Sequence, residues 1–350
     1  MSTPAAAARP HEADLPGALA AALPRQGFWS APIVAAVSGG ADSVGLLLAL
    51  RAAAVRESSS SRIVVCHVRH DLRERAADDA VFVADLAARM ALPCVVKELV
   101  VRGVRDRGEG VEALARRGRL KIFAEVACER GARHVVVAHT ADDQAETILH
   151  RILRGTGPAG LRGMAASREL CHGVALMRPL LTVSRHAVRE YLAALGEPWC
   201  EDESNADTRY ARNFLRQEIL PRCHAGPYPV ATTGLVRLGS QAAALAGAIR
   251  SAAEHLLQSL SRRQPDGSIV IRGAALGMLD RHLVAEIFVA LWERQAWPRR
   301  DMTARHYAQL AEMAAAADKA GIPLAVDLPG GIRVRRCPDG LVRIDGPEAS

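Results

Sequence analysis

Four short apolar runs rich in β-branched residues punctuate the N-terminal half of the chain, with helical patterns between them. They are PIVAAV (32–37), RIVVCHV (62–68), PCVVKELVV (93–101) and RHVVVAH (133–139). Apolar at most positions rather than at alternate ones, they predict strands covered on both faces, hence a parallel sheet between layers of helices. Strand–helix alternation of this kind is the doubly wound α/β pattern. Its ligand site lies at the carboxyl ends of the strands, near the switch in strand order. Ser38, His70 and His139 each fall at or just past such an end.

After Arg154 the pattern changes. GTGPAGLRGM reads as a glycine-rich loop and VALMRPLL as a fifth strand. TVSRHAVREYLAALG reads as a helix capped by Thr182 or Ser184 and ended by Gly196. EPWCEDESN is turn-rich, ADTRYARNFLRQEILP predicts a helix stopped by Pro221, and residues 224–234, with two prolines and two glycines, read as a linker. A long helix follows, then two more within 281–318. The end of the chain offers short strands with turns at 329–331 and 338–340. The expected organisation is an α/β domain over 28–222, then a mainly helical domain with a short β-hairpin over 223–350.

Composition narrows the class only a little. Apolar residues are 49% and aromatic ones 4%, so Ala, Leu and Val must fill the interior. A formal net charge of +7 is compatible with a polyanionic partner. None of the seven cysteines stands in a Cys-x-x-Cys pair, which argues against a zinc ribbon or an iron–sulfur clamp of that design. They read instead as thiols of a reducing compartment. His11, Glu12 and Asp14 interrupt the alanine-rich start, no basic segment precedes it, and no uncharged apolar run reaches membrane-spanning length. The expectation is a cytoplasmic protein with no signal peptide and no membrane partner.

The stretch AVSGGADSVGLLLAL (36–50) carries the first chemistry. Gly39 and Gly40 let the backbone turn sharply, and a helix starting near Asp42 would aim its N-terminal N–H groups at the loop. Ser38 and Ser43 add hydroxyls. No lysine or arginine lies between Ser38 and Leu50, which excludes a Walker A loop. The glycine that a nucleophile elbow needs is missing at Ala36. An ordinary strand-to-helix turn with capping residues is the plain alternative.

Taken together, Ser38-Gly39-Gly40-Ala41-Asp42-Ser43 matches the SGGxDS loop of the PP-loop ATP pyrophosphatases, whose domains are Rossmann-like. Four further stretches follow in order: HVRHDLR, EGVEALARRGRL, AHTADDQAETILHRILRGTGPAGLRGM, and the segment from MRPLL to ILP. With the loop, they resemble the tRNA(Ile)-lysidine synthase family over roughly residues 30–222. The DDxxET, RGxGxxGLxGM, DxSN and RxxRNxLR elements carry most of that likeness. The C-terminal part resembles the family's second domain more weakly. The resemblance implies ATP with Mg2+, free L-lysine and a CAU-anticodon isoleucine tRNA as the reacting partners, and leaves a homodimer open. Its reaction would adenylate the carbon-2 oxygen of the wobble cytidine, and the lysine ε-amine would then displace AMP.

Residue by residue, the resemblance makes Ser38, Gly39, Gly40, Ala41, Asp42 and Ser43 the ATP loop, with Asp42 on the magnesium side and catalytic. Arg116 and Arg119 match an AR-x-x-R motif at i, i+3 spacing, one to clamp the α-phosphate or the cytidine and the other to hold tRNA. A solvated basic face is the alternative, preferred for Arg117. Asp143 and Glu146 share one face of a helix and would hold the lysine ammonium. First-turn acids such as Asp142 and Asp143 also complement a helix dipole, and Thr140-x-x-Asp143 resembles a capping box. His139 would contact the base or a phosphate, or be structural. Asn205, Arg209, Arg212, Asn213 and Arg216 would hold the anticodon region, with Tyr210 and Phe214 beside them as core or stacking residues. Thr140 stands where the family has a second histidine, Arg69 and Asp71 replace an Asp/Asn and a glycine, and Leu120 replaces a tyrosine. Competing readings are a tRNA thiolase, an amide-forming synthetase, and a nucleotide-binding module without chemistry.

Overall fold

The structure, a computed structural model, describes residues 14–59, 62–70, 76–100, 111–201, 211–299, 301–315 and 324–347. The chain divides into two compact units between Ser240 and Gln241.

In the first unit, α1 (Leu15–Ala22) is capped by Asp14, which accepts the Gly17 N–H at 2.9 Å. Then come β1 (Ile33–Ala36), α2 (Ala41–Arg56), β2 (Ile63–His70), α3 (Ala76–Arg89), β3 (Cys94–Leu99) and α4 (Val111–Glu129). β4 (His134–Val136), α5 (Ala141–Leu153), α6 (Pro158–Leu161), β5 (Ser167–Cys171), β6 (Val174–Met177) and α7 (Arg185–Leu195) complete the sheet region. The strand order is β3-β2-β1-β4-β6-β5, parallel except for the β5–β6 hairpin. β1 lies between β2 and β4, with Ile33 opposite both Ile63 and His134. The order reverses at β1, so the switch point opens between β1 and β4.

Successive residues of β1 feed opposite cores. Ile33 and Ala35 pack with Leu46, Leu50, Leu86 and Val188, whereas Val34 packs with Cys66, Ile122, Phe123 and Val126. That is why the central runs are apolar at nearly every position. β3 departs from the expectation of burial on both faces. It pairs only with β2, and Val96 is 43% exposed. β5 carries no hydrophobic run because it is a largely exposed edge strand.

The predicted stop at Pro221 is also corrected. α8 (Ala211–Phe214) runs through a π-helical segment (Leu215–Ile219) into α9 (Leu220–Ala225), with Pro221 in its first turn. Pro221 falls at the junction of the π-helical and α-helical segments, where the hydrogen-bond ladder is already irregular, so its missing N–H does not stop the helix. Residues 224–234, read as a linker, close α9, turn, and open α10 (Ala231–Leu260).

The second unit holds β7 (Ser261–Arg263), β8 (Ile269–Arg272), α11 (Gly273–Leu276), α12 (Arg281–Arg294), α13 (Ala304–Ala315), β9 (Ala325–Leu328), β10 (Ile332–Arg336) and β11 (Leu341–Asp345). Its antiparallel sheet, β7-β8-β11-β10-β9, extends the expected hairpin to five strands. Ile332 and Val334 are buried while Arg333 is exposed, so one face covers a core built on Phe288, Trp292 and Leu310. No helix among the described residues is long and apolar enough to cross a membrane.

α2 and α7 pack so closely that a Cβ added at Gly45 would stand 2.4 Å from Val188 Cγ1. We expect Gly45→Ala to lose about 1–3 kcal/mol of stability through overpacking, despite alanine's better helix propensity. Urea unfolding measures it, and Val188→Ala in the same background should return part of the loss. Unchanged stability of the single variant would show that the two helices part easily.

Candidate active site

The loop after β1 is held open by its own serines. Ser38 N–H donates to Ser43 Oγ at 3.1 Å, the two hydroxyls meet at 3.1 Å, and Ser43 Oγ donates to Gly40 O at 2.9 Å. Gly39 has φ +96°, and a Cβ there would come 3.3 Å from Cys200 Sγ. The backbone therefore requires glycine, and a side chain there would also crowd Cys200. Cys200 N–H closes the contact on Gly39 O at 3.0 Å. The N-cap of α2 is Gly40, with no side chain to occupy the first-turn N–H groups, so the helix presents an anion site.

Asp42 lies in that first turn. Its Oδ2 accepts Arg185 Nε at 3.0 Å, while Oδ1 is buried without a partner. Burial pushes its carboxyl above the usual range, against the opposing pull of Arg185.

Across the switch point, α5 brings the acidic turn to the same place. Asp143 Oδ2 accepts from Thr140 N at 2.9 Å and Thr140 Oγ1 at 3.0 Å, which is the N3 half of a capping box. Its Oδ1 meets Arg216 Nη2 at 3.0 Å, Arg185 Nη2 at 3.3 Å and Arg212 Nη2 at 3.5 Å. Glu146, one turn further, is only 1% exposed. It takes Arg216 Nε at 2.7 Å and Arg212 Nε at 3.0 Å, with Arg185 Nη1 at 3.7 Å. Asp142 accepts the Arg185 backbone N–H at 2.8 Å and so anchors the start of α7 to α5. Burial pushes Asp143 upward, but Arg185, the Thr140 N–H and Arg212 outweigh it and hold it below the usual carboxylate value. Asp143 thus caps the helix with one oxygen and faces three arginines with the other.

A cleft of about 680 Å3 joins these parts. Ser38, Gly40, Asp42, Arg116, Arg119, His139, Asp143, Arg212 and Arg216 all line it, with Glu146 buried behind. Burial pushes His139 down to about 4, so its ring is neutral at physiological pH. Thr140, at the position of the departed histidine, is buried as the cap of α5. Leu120 and Arg69 also line the cleft, the latter paired with Glu98. Asn213 on α8 does not line it. Asn205 and Arg209 lie outside the described residues, as do Asp71 and Tyr210 and the side chain of His70.

Sequence reasoning passed over three cleft residues. Arg185, the shared partner of all three acids, opens α7 directly after the capping Ser184, and only that adjacency hinted at it. His67, three residues before His70 in sequence, is buried in β2, with Nδ1 at 2.9 Å from Val37 O. Arg178 ends the fifth strand run without an obvious partner.

A family model described as a PP-loop domain matches residues 21–223. The tRNA(Ile)-lysidine synthase of Salinispora tropica is 39% identical over 318 residues, covering 90% of this chain and 91% of the relative. That of Rhodopirellula baltica is 32% identical over 305 residues, covering 78% and 77%. A solved U34-tRNA thiolase from Methanococcus maripaludis, with its [4Fe-4S] cluster, overlays with a TM-score of 0.54 at 15% identity, over 65% of this chain and 76% of that one. At that identity the overlay speaks for the fold alone. With its PP-loop region matched and close relatives aligned along most of both chains, the protein belongs to the tRNA(Ile)-lysidine synthase family of PP-loop proteins.

Proposed function

We infer that the chain is an ATP-dependent ligase that joins free L-lysine to carbon 2 of the wobble cytidine of CAU-anticodon isoleucine tRNA. The observation that carries this reading is a single cleft holding an anion site and a cation site side by side. The α2 N-terminus and its serine-braced loop suit a pyrophosphate, and the Asp143–Glu146 pair suits an ammonium.

The chemistry needs both. A cytosine carbonyl is a poor electrophile until its oxygen becomes a leaving group. In the first step that oxygen attacks the α-phosphorus of ATP and pyrophosphate departs. In the second, the lysine ammonium gives up a proton to solvent, its free ε-nitrogen attacks carbon 2, and the C–O bond to AMP breaks with the electron pair leaving on AMP. Arg116 supports the first step as a cation near the α-phosphate. Asp42 Oδ1, buried and without a partner, fits as a hard oxygen ligand for Mg2+ bound with the ATP phosphates. Such an ion supplies neutralisation of phosphate charge. His139, neutral, offers the base or a phosphate a hydrogen bond and no charge.

Arg185, Arg212 and Arg216 already balance Asp42, Asp143 and Glu146. A lysine ammonium is a fourth cation, so its entry is favoured once phosphate has added negative charge to the cleft. Arg119, Arg212, Asn213 and Arg216 are proposed tRNA contacts, together with Asn205 and Arg209. For Arg212 and Arg216 this means adding a phosphate to guanidiniums that already hold the acids. Cys66 at the cleft is pushed up to about 12 by burial and stays a thiol at neutral pH, which disfavours a nucleophilic role for it.

Incubation with ATP, labelled lysine and an isoleucine tRNA transcript, followed by nucleoside analysis, tests the whole reading: lysidine should form only with all three. Asp42→Asn should bring pyrophosphate release to background with the thermal midpoint kept. Turnover like the wild type in the presence of magnesium would remove Asp42 from the mechanism.

Glu146→Gln keeps shape and removes charge. Adenylated tRNA should form at a near-normal rate, while the lysine requirement rises about ten- to hundredfold, the value of one charge-assisted hydrogen bond. Failure of adenylation instead would assign the acid to the nucleotide side.

His139 also sets a pH dependence. Its folded pKa of about 4 lies below the ordinary 6.5, so the unfolded chain takes up the proton first. Stability should therefore fall as pH drops from about 6.5 toward 4. Unfolding curves at stepped pH would show it, and His139→Gln should flatten that part of the profile. An equal slope in the variant would mean that the ring ionises freely in the fold.

A further inference from the structure

Arg178 follows β6 directly, at the same carboxyl edge of the sheet as Ser38 beyond β1 and His139 beyond β4. Its backbone N–H donates to Ala166 O and its Nη1 to Ala165 O, both at 2.8 Å. The residue is only 4% exposed, yet it lines the cleft. Its Nε is buried with no acceptor. Among the described residues no carboxylate pairs with it, and the charged groups that act on it are two cations, Arg168 and Arg116. Burial first, and those cations second, push its guanidinium down to about 10, which still leaves it charged at neutral pH.

A buried cation with no counter-charge is strongly disfavoured unless something else neutralises it. The contrast within the cleft is sharp. Arg185 meets three carboxylates, while Arg178 meets one carbonyl. Among the described residues nothing supplies that counter-charge, which leaves a place for an anion brought by a ligand. We propose that Arg178 is a phosphate-binding residue of the cleft, offering Nε and the rest of its guanidinium to the oxygens of one phosphate group. This rests on the reading of the chain as a ligase that uses ATP and tRNA.

The position says which phosphate it is not. β6 lies two strands from β1, so the Arg178 backbone stands roughly 10 Å along the sheet edge from the strand that leads into the α2 loop. It meets a different group from the one seated on the helix N-terminus: either the far end of the ATP polyphosphate or a phosphodiester beside the reacting cytidine. Arginine suits this role better than lysine because its planar fork can grip two oxygens while one nitrogen stays on Ala165 O.

The test uses the full chain with Arg178→Gln and Arg178→Lys. ATP KM is read from pyrophosphate release at saturating tRNA and lysine, and tRNA Kd from filter binding across salt concentrations. Thermal midpoints are taken without added phosphate. Arg178→Gln should weaken one ligand about ten- to hundredfold, with Arg178→Lys between it and the wild type. A raised ATP KM identifies the nucleotide as the source. A raised tRNA Kd, with the slope of log K against log salt reduced by about 0.7–0.9, identifies the phosphodiester. The midpoint of Arg178→Gln should hold or rise, because an unneutralised buried charge has gone. Both constants within twofold of the wild type would overturn the proposal. So would weakening that tracks an equal fall in midpoint in both variants, since Arg178 would then only tie down the loop at Ala165. A wild type that makes no lysidine would sink the functional reading instead, and the two binding constants would still decide the role of Arg178.

Discussion

Everything around the cleft depends on where the Arg185 guanidinium sits. It reaches Asp42 on α2 with Nε, and Asp143 and Glu146 on α5 with its two terminal nitrogens. Its own backbone N–H is taken by Asp142. One residue thus ties three helices together at the point where the strand order reverses. Isolated, any of these buried charges would cost several kcal/mol to desolvate. The cluster is tolerable because the Asp143 and Glu146 oxygens and Asp42 Oδ2 have directed partners, and because Arg212 and Arg216 complete the balance from the segment beyond 210.

That balance gives the site its division of labour. Around the acids, positive and negative charges match, and only a change in ligand charge can disturb them. Across the sheet edge, Arg178 is a buried cation with no carboxylate partner among the described residues, and His139 is a ring kept neutral by burial. In the proposed reading, an anion and an ammonium have separate places to go within one cleft. For a ligation that passes from phosphate chemistry to amine attack, such separation lets one site serve both half-reactions.

The π-helical segment at Leu215–Ile219 fits the same picture. Arg216 lies within it and Arg212 one turn before, and both aim at Glu146. π-helical turns occur mostly as single turns inside α-helices, often at functional sites. Here the irregular turn lies just ahead of Pro221, whose missing N–H would otherwise interrupt the regular ladder.

Local signals determined much of this protein. Continuous apolar runs are enough to place β1, β2 and β4 in a covered parallel sheet, because both faces of those strands meet helices. The SGGADS loop needs Gly39 for its positive φ, which is a property of a single residue and can be read from its type. Polar edge elements left no such trace, so β5 and the exposed side of β3 were out of reach. The partners of the acids were equally hidden. Arg185 stands 143 positions from Asp42, and Arg216 stands 70 from Glu146. Charge pairing at that separation has no periodicity to betray it. A basic stripe on a helix looks the same in sequence whether it faces water, RNA or a buried glutamate; only the packing of α5 against the 211–219 segment decided which.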